Sequence, residues 1–212
     1  MADALYLSLW YPTLKLAELE AKLVQVLGQF AVHGGEPRVY SSTVWPVSWS
    51  ESPVFQRVYR AAVRVEDTGN AEVGVDPAQA VGAALELLHD DYAYEFQIGW
   101  NLWELETVGD LDPLWARELH LVRVTGFGPL FDEGTYEQDG HIRIEFGPDG
   151  PFLQENADLH SVGAQHVEEN IRQLIELTHA VEKASGATTR LLWSELGDNL
   201  AVRLAQRLIV GN

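Results

Sequence analysis

The chain is predicted to be an α+β protein built on an antiparallel sheet, and three observations carry that prediction. Residues 92–103 read YAYEFQIGWNLW, with Tyr92, Tyr94, Phe96, Ile98, Trp100 and Leu102 pointing one way and Ala93, Glu95, Gln97, Gly99, Asn101 and Trp103 the other. Such alternation with aromatic enrichment marks a long strand with one buried face. The elements read from the first half of the chain follow the order β-α-β-β-α-β. The second half places its strands ahead of a long helix, a further strand and a C-terminal helix.

The elements follow in order. Residues 4–11 set Leu5, Leu7 and Leu9 against Tyr6, Ser8 and Trp10, a first strand. Residues 14–30 carry Leu16, Leu19, Leu23, Val26, Leu27 and Phe30 at helical spacing, and Gly34-Gly35 ends that helix. Residues 38–45, rich in Val, Ser, Thr and aromatics, form a second strand. Residues 46–53 make a Pro- and Ser-punctuated loop, and residues 54–65 a third strand. Asp76 is an N-cap with Pro77 at the first helical position, and Ala80, Val81, Ala84, Leu85 and Leu88 carry that helix to His89. The alternating strand at 92–103 comes next.

Past a connector the second half begins with a strand at 118–124. A Gly-containing, acidic excursion spans 126–140. Residues 141–146 form a strand with Ile142, Ile144 and Phe146 on one face, and Gly147-Pro148-Asp149-Gly150 is a turn. Residues 151–153 are expected to pair back as a short strand. The longest helix spans 165–185 and is closed by Gly186. A strand at 188–193 and a helix at 198–209 complete the chain.

The order of the first half resembles a ferredoxin-like βαββαβ unit. The expected organisation is therefore a ferredoxin-like unit at 1–106, a connector at 107–117, and a second α+β unit at 118–212 packed on the first. A fold of this kind hosts many functions, so the resemblance implies architecture only.

Composition bounds the function. Of 212 residues 46% are hydrophobic, enough for a packed core. The net charge is −18, and a cut after residue 106 leaves −9 on each side, so the charge is spread over the whole surface rather than held in a tail. Such a surface repels nucleic-acid phosphates and anionic lipid and suits a basic partner. There is no cysteine, which excludes disulfides, thiolate catalysis and Cys-based zinc sites. The first apolar run ends at Pro12 and has no basic residue before it, so it reads as a strand, and the protein is expected to be soluble and cytoplasmic.

The motifs that resemble chemistry read as surface. Glu176 and His179 have the E-x-x-H spacing of bundle carboxylate sites. The apolar stripe of that helix runs through Val167, Ile171, Leu174, Ile175, Thr178 and Val181, which puts Glu176 on the opposite side. His166 with Glu169 is a polar-side pair. His89-Asp90-Asp91 reads as a helix C-terminus followed by an acidic turn. The acidic excursion lacks the alternating oxygen ligands of a calcium loop. Gly126-Phe127-Gly128 lacks the third glycine and following lysine that phosphate loops need. No catalytic residue, cofactor or metal ligand is assigned.

The odd-numbered side of residues 92–103 is the candidate working surface. Glu95, Gln97, Asn101 and Trp103 lie on it, Trp10 is on the matching side of the first strand, and Arg60 and Arg64 share one face of the third. Aromatic walls with a few oriented polar groups suit a binding site or an interface. The leading expectation is a non-catalytic, acidic, protein-binding role towards a basic partner or in self-association, in the manner of an immunity-like or antitoxin-like inhibitor. The alternative is a small-molecule binder or enzyme using the open sheet face or a cleft between the halves. In that case Arg60 or Arg64 would hold an anion and Glu95 would serve as base or acceptor. Neither nucleic acid nor membrane is expected as a partner.

Overall fold

The alternating segments assemble into one seven-stranded antiparallel sheet in the order β3-β2-β4-β5-β6-β1-β7. These strands are β1 (Ala4–Trp10), β2 (Val39–Pro46), β3 (Phe55–Val58), β4 (Tyr92–Glu106), β5 (Leu114–Phe127), β6 (Ile142–Pro148) and β7 (Thr189–Ser194). The helices are α1 (Leu19–Gly34), α2 (Pro77–Leu85), α3 (Tyr136–Asp139), α4 (Gly150–Leu153) and α5 (Ser161–Ser185). This computed structural model describes residues 3–34, 38–59, 74–106, 114–153, 161–195, 200 and 202–205.

The mixed α+β class is as expected, but the strand order departs from a ferredoxin-like unit. In such a unit the first strand sits among the other strands of its own half. Here β5 and β6 stand between β4 and β1, and β1 pairs with β6 and β7. Strands from both halves of the chain thus share one sheet. The reason is local: β4 turns directly back into β5, pairing Ala93 with Phe127 through to Glu106 with Leu114. That hairpin takes the edge of β4 that β1 would have used. The last residues of the expected connector, 114–117, are part of β5, and 107–113 lie outside the described residues. Residues 60–65 of the expected third strand also lie outside them. The described residues of the expected last helix, 200 and 202–205, are helical.

All the larger helices cover one face of the sheet. The even-numbered side of β4 (Tyr94, Phe96, Ile98, Trp100, Leu102) is fully buried together with Leu5, Leu7 and Leu9 of β1, Val122 and Val124 of β5, and Ile142 and Ile144 of β6. Helix α1 lays Leu19, Leu23, Val26, Leu27 and Phe30 on this layer, a spacing of three and four that keeps one stripe inward. Before it, Glu18 accepts a hydrogen bond from the Lys15 backbone N–H at 3.2 Å. Helix α2 starts as its sequence dictates: the Asp76 side chain accepts from the Ala78 N–H at 2.8 Å, and Pro77 needs no partner for a missing N–H. Trp100 is the hub, with its ring against Phe30, Phe146 and Phe152 at 6.2, 5.5 and 5.8 Å between centroids.

Two local expectations fail for identifiable reasons. Residues 151–153 form a turn of helix, not a strand, because Pro151 presets a helical φ and Asp149 O accepts from both Phe152 and Leu153 N–H. On α5 the buried stripe runs through Val167, Asn170, Ile171, Leu174, Leu177, Thr178 and Val181, while Ile175 is exposed. The stripe is rotated because Asn170 turns inward. Its Oδ1 accepts from Trp103 N–H at 2.9 Å, and its Nδ2 donates to Trp103 O and Pro151 O, both at 2.8 Å. Pairing of β2 with β4 ends at Ile98, so beyond it the outer edge of β4 needs partners, and Asn170 supplies them at Trp103.

Candidate functional site

The other face of the sheet carries none of these larger helices. Register lines up Thr43, Glu95, Thr125 and Arg143 across β2, β4, β5 and β6, and beside them Ser41, Gln97, Arg123, Glu145, Tyr6 and Trp193 across β2, β4, β5, β6, β1 and β7. Six of the seven strands contribute to these rows for one reason: one side of each strand is committed to the core, so period-two alternation pushes the polar residues to the opposite face.

A chain of charges crosses the middle of this face. Arg123 Nη1 donates to Glu145 Oε2 at 2.9 Å, and its Nε lies 3.5 Å from Glu95 Oε2. Burial pushes the Glu95 carboxyl above its ordinary value, Arg123 opposes that shift, and Glu145 adds to it. The guanidinium is thus shared between two acids and settles neither fully. Arg143 pairs with Asp139 from α3 and lies over the rings of Phe127 and Tyr6, at 5.5 and 5.9 Å. Tyr6 stacks on Trp193 at 4.5 Å and donates to Glu195 at 2.8 Å, and burial raises its phenol well above the usual range. Trp193 Nε1 donates to Ser8 Oγ at 3.1 Å. Gln97 accepts from Ser41 Oγ at 3.1 Å.

Apolar surface adjoins the charges. Leu119 and Leu121 of β5 are about half exposed (49% and 51%). They flank Gly99, where a Cβ would lie 2.7 Å from Leu119 and 2.9 Å from Tyr40. Glycine there lets both side chains lie flat across β4. At the opposite end the face is capped by a small second core of Ala93, Phe127 and Phe131 with Trp45, Trp49 and Tyr136 around it. The two capping segments meet where Asp132 N–H donates to Val47 O at 2.7 Å. Val47, Asp132 and Glu133 are all left-handed, with φ of 58°, 45° and 57°. Non-glycine residues in that region cost about 1–3 kcal/mol each and persist only where the surroundings impose them.

The predicted site residues separate into groups. Glu95 and Gln97 lie together at the centre of the face, and Asn101 sits on the same side opposite Leu119. Trp103 joins a contact between the hairpin and α5: its Nε1 donates to Glu169 at 2.8 Å, its ring packs on His166 at 3.9 Å, and Arg117 lies over it at 4.9 Å. Trp10 stands at the far end of β1, where its Nε1 donates to Glu137 O at 3.3 Å. Arg60 and Arg64 lie outside the described residues. Sequence reasoning missed Arg123, Arg143 and Glu145. Their signal was present in VRV and IRIEF, where charged residues alternate with β-branched ones; treating the second half as a separate unit hid their neighbourhood with Glu95.

The chemical motifs are spent on structure. Glu176 faces His33 at 3.8 Å, and His179 lies against Arg190 at 2.9 Å. His89, Asp90 and Asp91 bring ligand atoms within 4.8 Å of one another, but the group is a solvent-facing turn in which His89 pairs with both acids, an ordinary surface arrangement. No helix among the described residues is long and apolar enough to cross a membrane. No protein-family model, curated protein or solved structure matches the chain.

Proposed function

We propose that this is a non-catalytic binding protein whose sheet face, left open by the larger helices, receives a basic segment of a partner protein. One observation carries the reading: Glu95 and Glu145 share Arg123 on the face that the larger helices leave open, in a chain with net charge −18. A half-buried carboxylate has lost water that one shared guanidinium does not replace, so an arriving lysine or arginine would be received favourably beside Glu95. Leu119 and Leu121 would add apolar contact at the edge of that charge pair. The acidic field would speed encounter with a cationic surface and keep nucleic-acid phosphates away. An inhibitor of a basic protein, of the immunity or antitoxin kind, is the concrete form of this function.

A second reading has one observation in its favour. Glu95 is a carboxyl raised by burial beside a cation on an open face, which is how general bases are often prepared. A small-molecule or enzymatic use of the same face follows from it.

The test compares capture of a basic partner by the whole chain and by its variants. Glu95→Gln with Glu145→Gln should weaken capture at low salt about tenfold or more, in line with the loss of charge-assisted contacts. Glu176→Gln, on the exposed side of α5, should leave capture unchanged. Recovery of no basic partner, or association indifferent to salt and to the double substitution, overturns the proposal.

A further inference from the structure

A second site lies at one end of the sheet, where the charge chain ends with Arg143 over the Phe127 ring at 5.5 Å. A cavity of about 410 Å³ opens where β1 leaves towards α1 and β5 leaves towards β6. That volume falls within the roughly 300–1,000 Å³ typical of small-molecule sites. Trp10, Leu14, Leu16, Phe127, Tyr136 and His141 wall it, with Glu137 beside them.

The aromatic walls are held in place independently of any ligand. The Trp10 indole is anchored by its bond to Glu137 O, and the Tyr136 ring packs on His141 at 4.7 Å. Gly140 brings His141 hard against β1: a Cβ at that position would lie 2.7 Å from Leu9 N. The segment that supplies Tyr136 and Glu137 follows the two left-handed residues Asp132 and Glu133, and backbone strain of this kind gathers at ligand clamps.

His141 sets the polarity. Its Nδ1 accepts the Tyr11 backbone N–H at 3.2 Å, so the neutral ring carries its proton on Nε2. Burial lowers its pKa, which keeps the ring neutral at ordinary pH. Among the described residues Nε2 has no hydrogen-bond partner, so His141 brings an unengaged donor to a wall that is mostly aromatic and aliphatic.

We infer that this cavity binds a flat, neutral aromatic molecule that presents one hydrogen-bond acceptor, a carbonyl or ring nitrogen, to His141 Nε2. The flat shape follows from the rings of Trp10, Phe127 and Tyr136 on the wall, since aromatic rings stack or meet edge-on. Neutrality follows from the surroundings. An anion would meet Glu137 and the field of a −18 chain. Protonating His141 to receive it would set a second donor against the Tyr11 N–H. A cation would bring its own donors against Nε2–H.

Naphthamide is the probe, with naphthoate and naphthylmethylammonium as charged counterparts of the same shape. Binding to the whole chain is read by tryptophan fluorescence and by the imidazole resonances of His141. Naphthamide should bind with a dissociation constant of about 1 mM or below, as a fragment of its size allows. Both charged analogues should bind about tenfold more weakly or worse, naphthoate through repulsion by Glu137 and the acidic field and the ammonium through donors set against Nε2–H. Leu16→Trp should fill the cavity and abolish binding, and Leu14→Trp replaces it if the first variant lowers the melting temperature. His141→Phe should keep the walls and lose about tenfold in affinity. Absence of naphthamide binding, equal binding of naphthoate, or binding that persists unchanged in a folded cavity-filled variant overturns the inference.

Discussion

On one side of β4, Tyr94, Phe96, Ile98 and Trp100 are lost to solvent under the helices, and most of the side chains packed around them are apolar as well. One residue along, on the other side, Glu95 and Gln97 meet threonine, serine and arginine from the flanking strands. The first side gains its stability from area removed from water, and any apolar side chain of the right volume contributes. The second side gains little that way. It is stabilised by specific partners at specific register positions, and Arg123 has to serve two carboxylates. A face satisfied by packing has little left to offer a ligand. A face satisfied by shared charges retains binding capacity, because an incoming cation improves a contact that the fold leaves incomplete.

The strongest way to break this comparison is to truncate matched residues on the two sides. Trp100→Ala should cost about 3–5 kcal/mol, since it empties the contact of three rings at the centre of the core. Leu191→Ala on the exposed side of β7 should change stability by no more than about 0.5 kcal/mol. Urea denaturation of both variants provides the measurement. Similar losses at the two positions would mean that the second face is packed as the first is.

Next in size is the seam where the hairpin leaves the sheet. Asn170→Leu keeps the branched heavy-atom skeleton and adds apolar surface, so a purely hydrophobic account predicts little harm. It also strips partners from the backbone N–H and C=O of Trp103 and from Pro151 O. Leaving buried polar groups unpaired costs about 1–3 kcal/mol each, so a net loss of about 2–3 kcal/mol is expected. Thermal unfolding and faster hydrogen exchange at the Trp103 amide would register it.

What could be read in advance follows the same division. The even side of β4, the capped start of α2 and the α1 stripe were legible because each depends on local spacing and on one or two neighbours in sequence. The strand order was not, because it depends on which edge of β4 is taken first, and β5, which takes it, begins only after the alternating run has ended. Asn170 carried no signal for a related reason: nothing in the stripe singles out a polar residue until the open edge of β4 is set beside it. The site was half legible. Alternation exposed Glu95 and Gln97, but Arg123 and Glu145 become their neighbours only through long-range pairing.

The smallest expected effect is the sharpest test of how the charge chain is balanced. Glu95 has a carboxyl pKa raised above its ordinary value of 4.5, chiefly by burial. Between the ordinary and the raised value the folded chain binds more protons than the unfolded one, so stability falls as pH rises through that window and is level above it. Glu95→Gln removes the ionisation and keeps the shape. The variant should therefore match the wild type in acid, below the ordinary glutamate range, and exceed it at neutral pH. Its stability profile should lack the decline that Glu95 imposes on the wild type. A variant that is less stable than the wild type at neutral pH would show that Arg123 overcompensates the burial of Glu95. The open face would then be electrostatically complete, and its claim on a basic partner would fail along with that result.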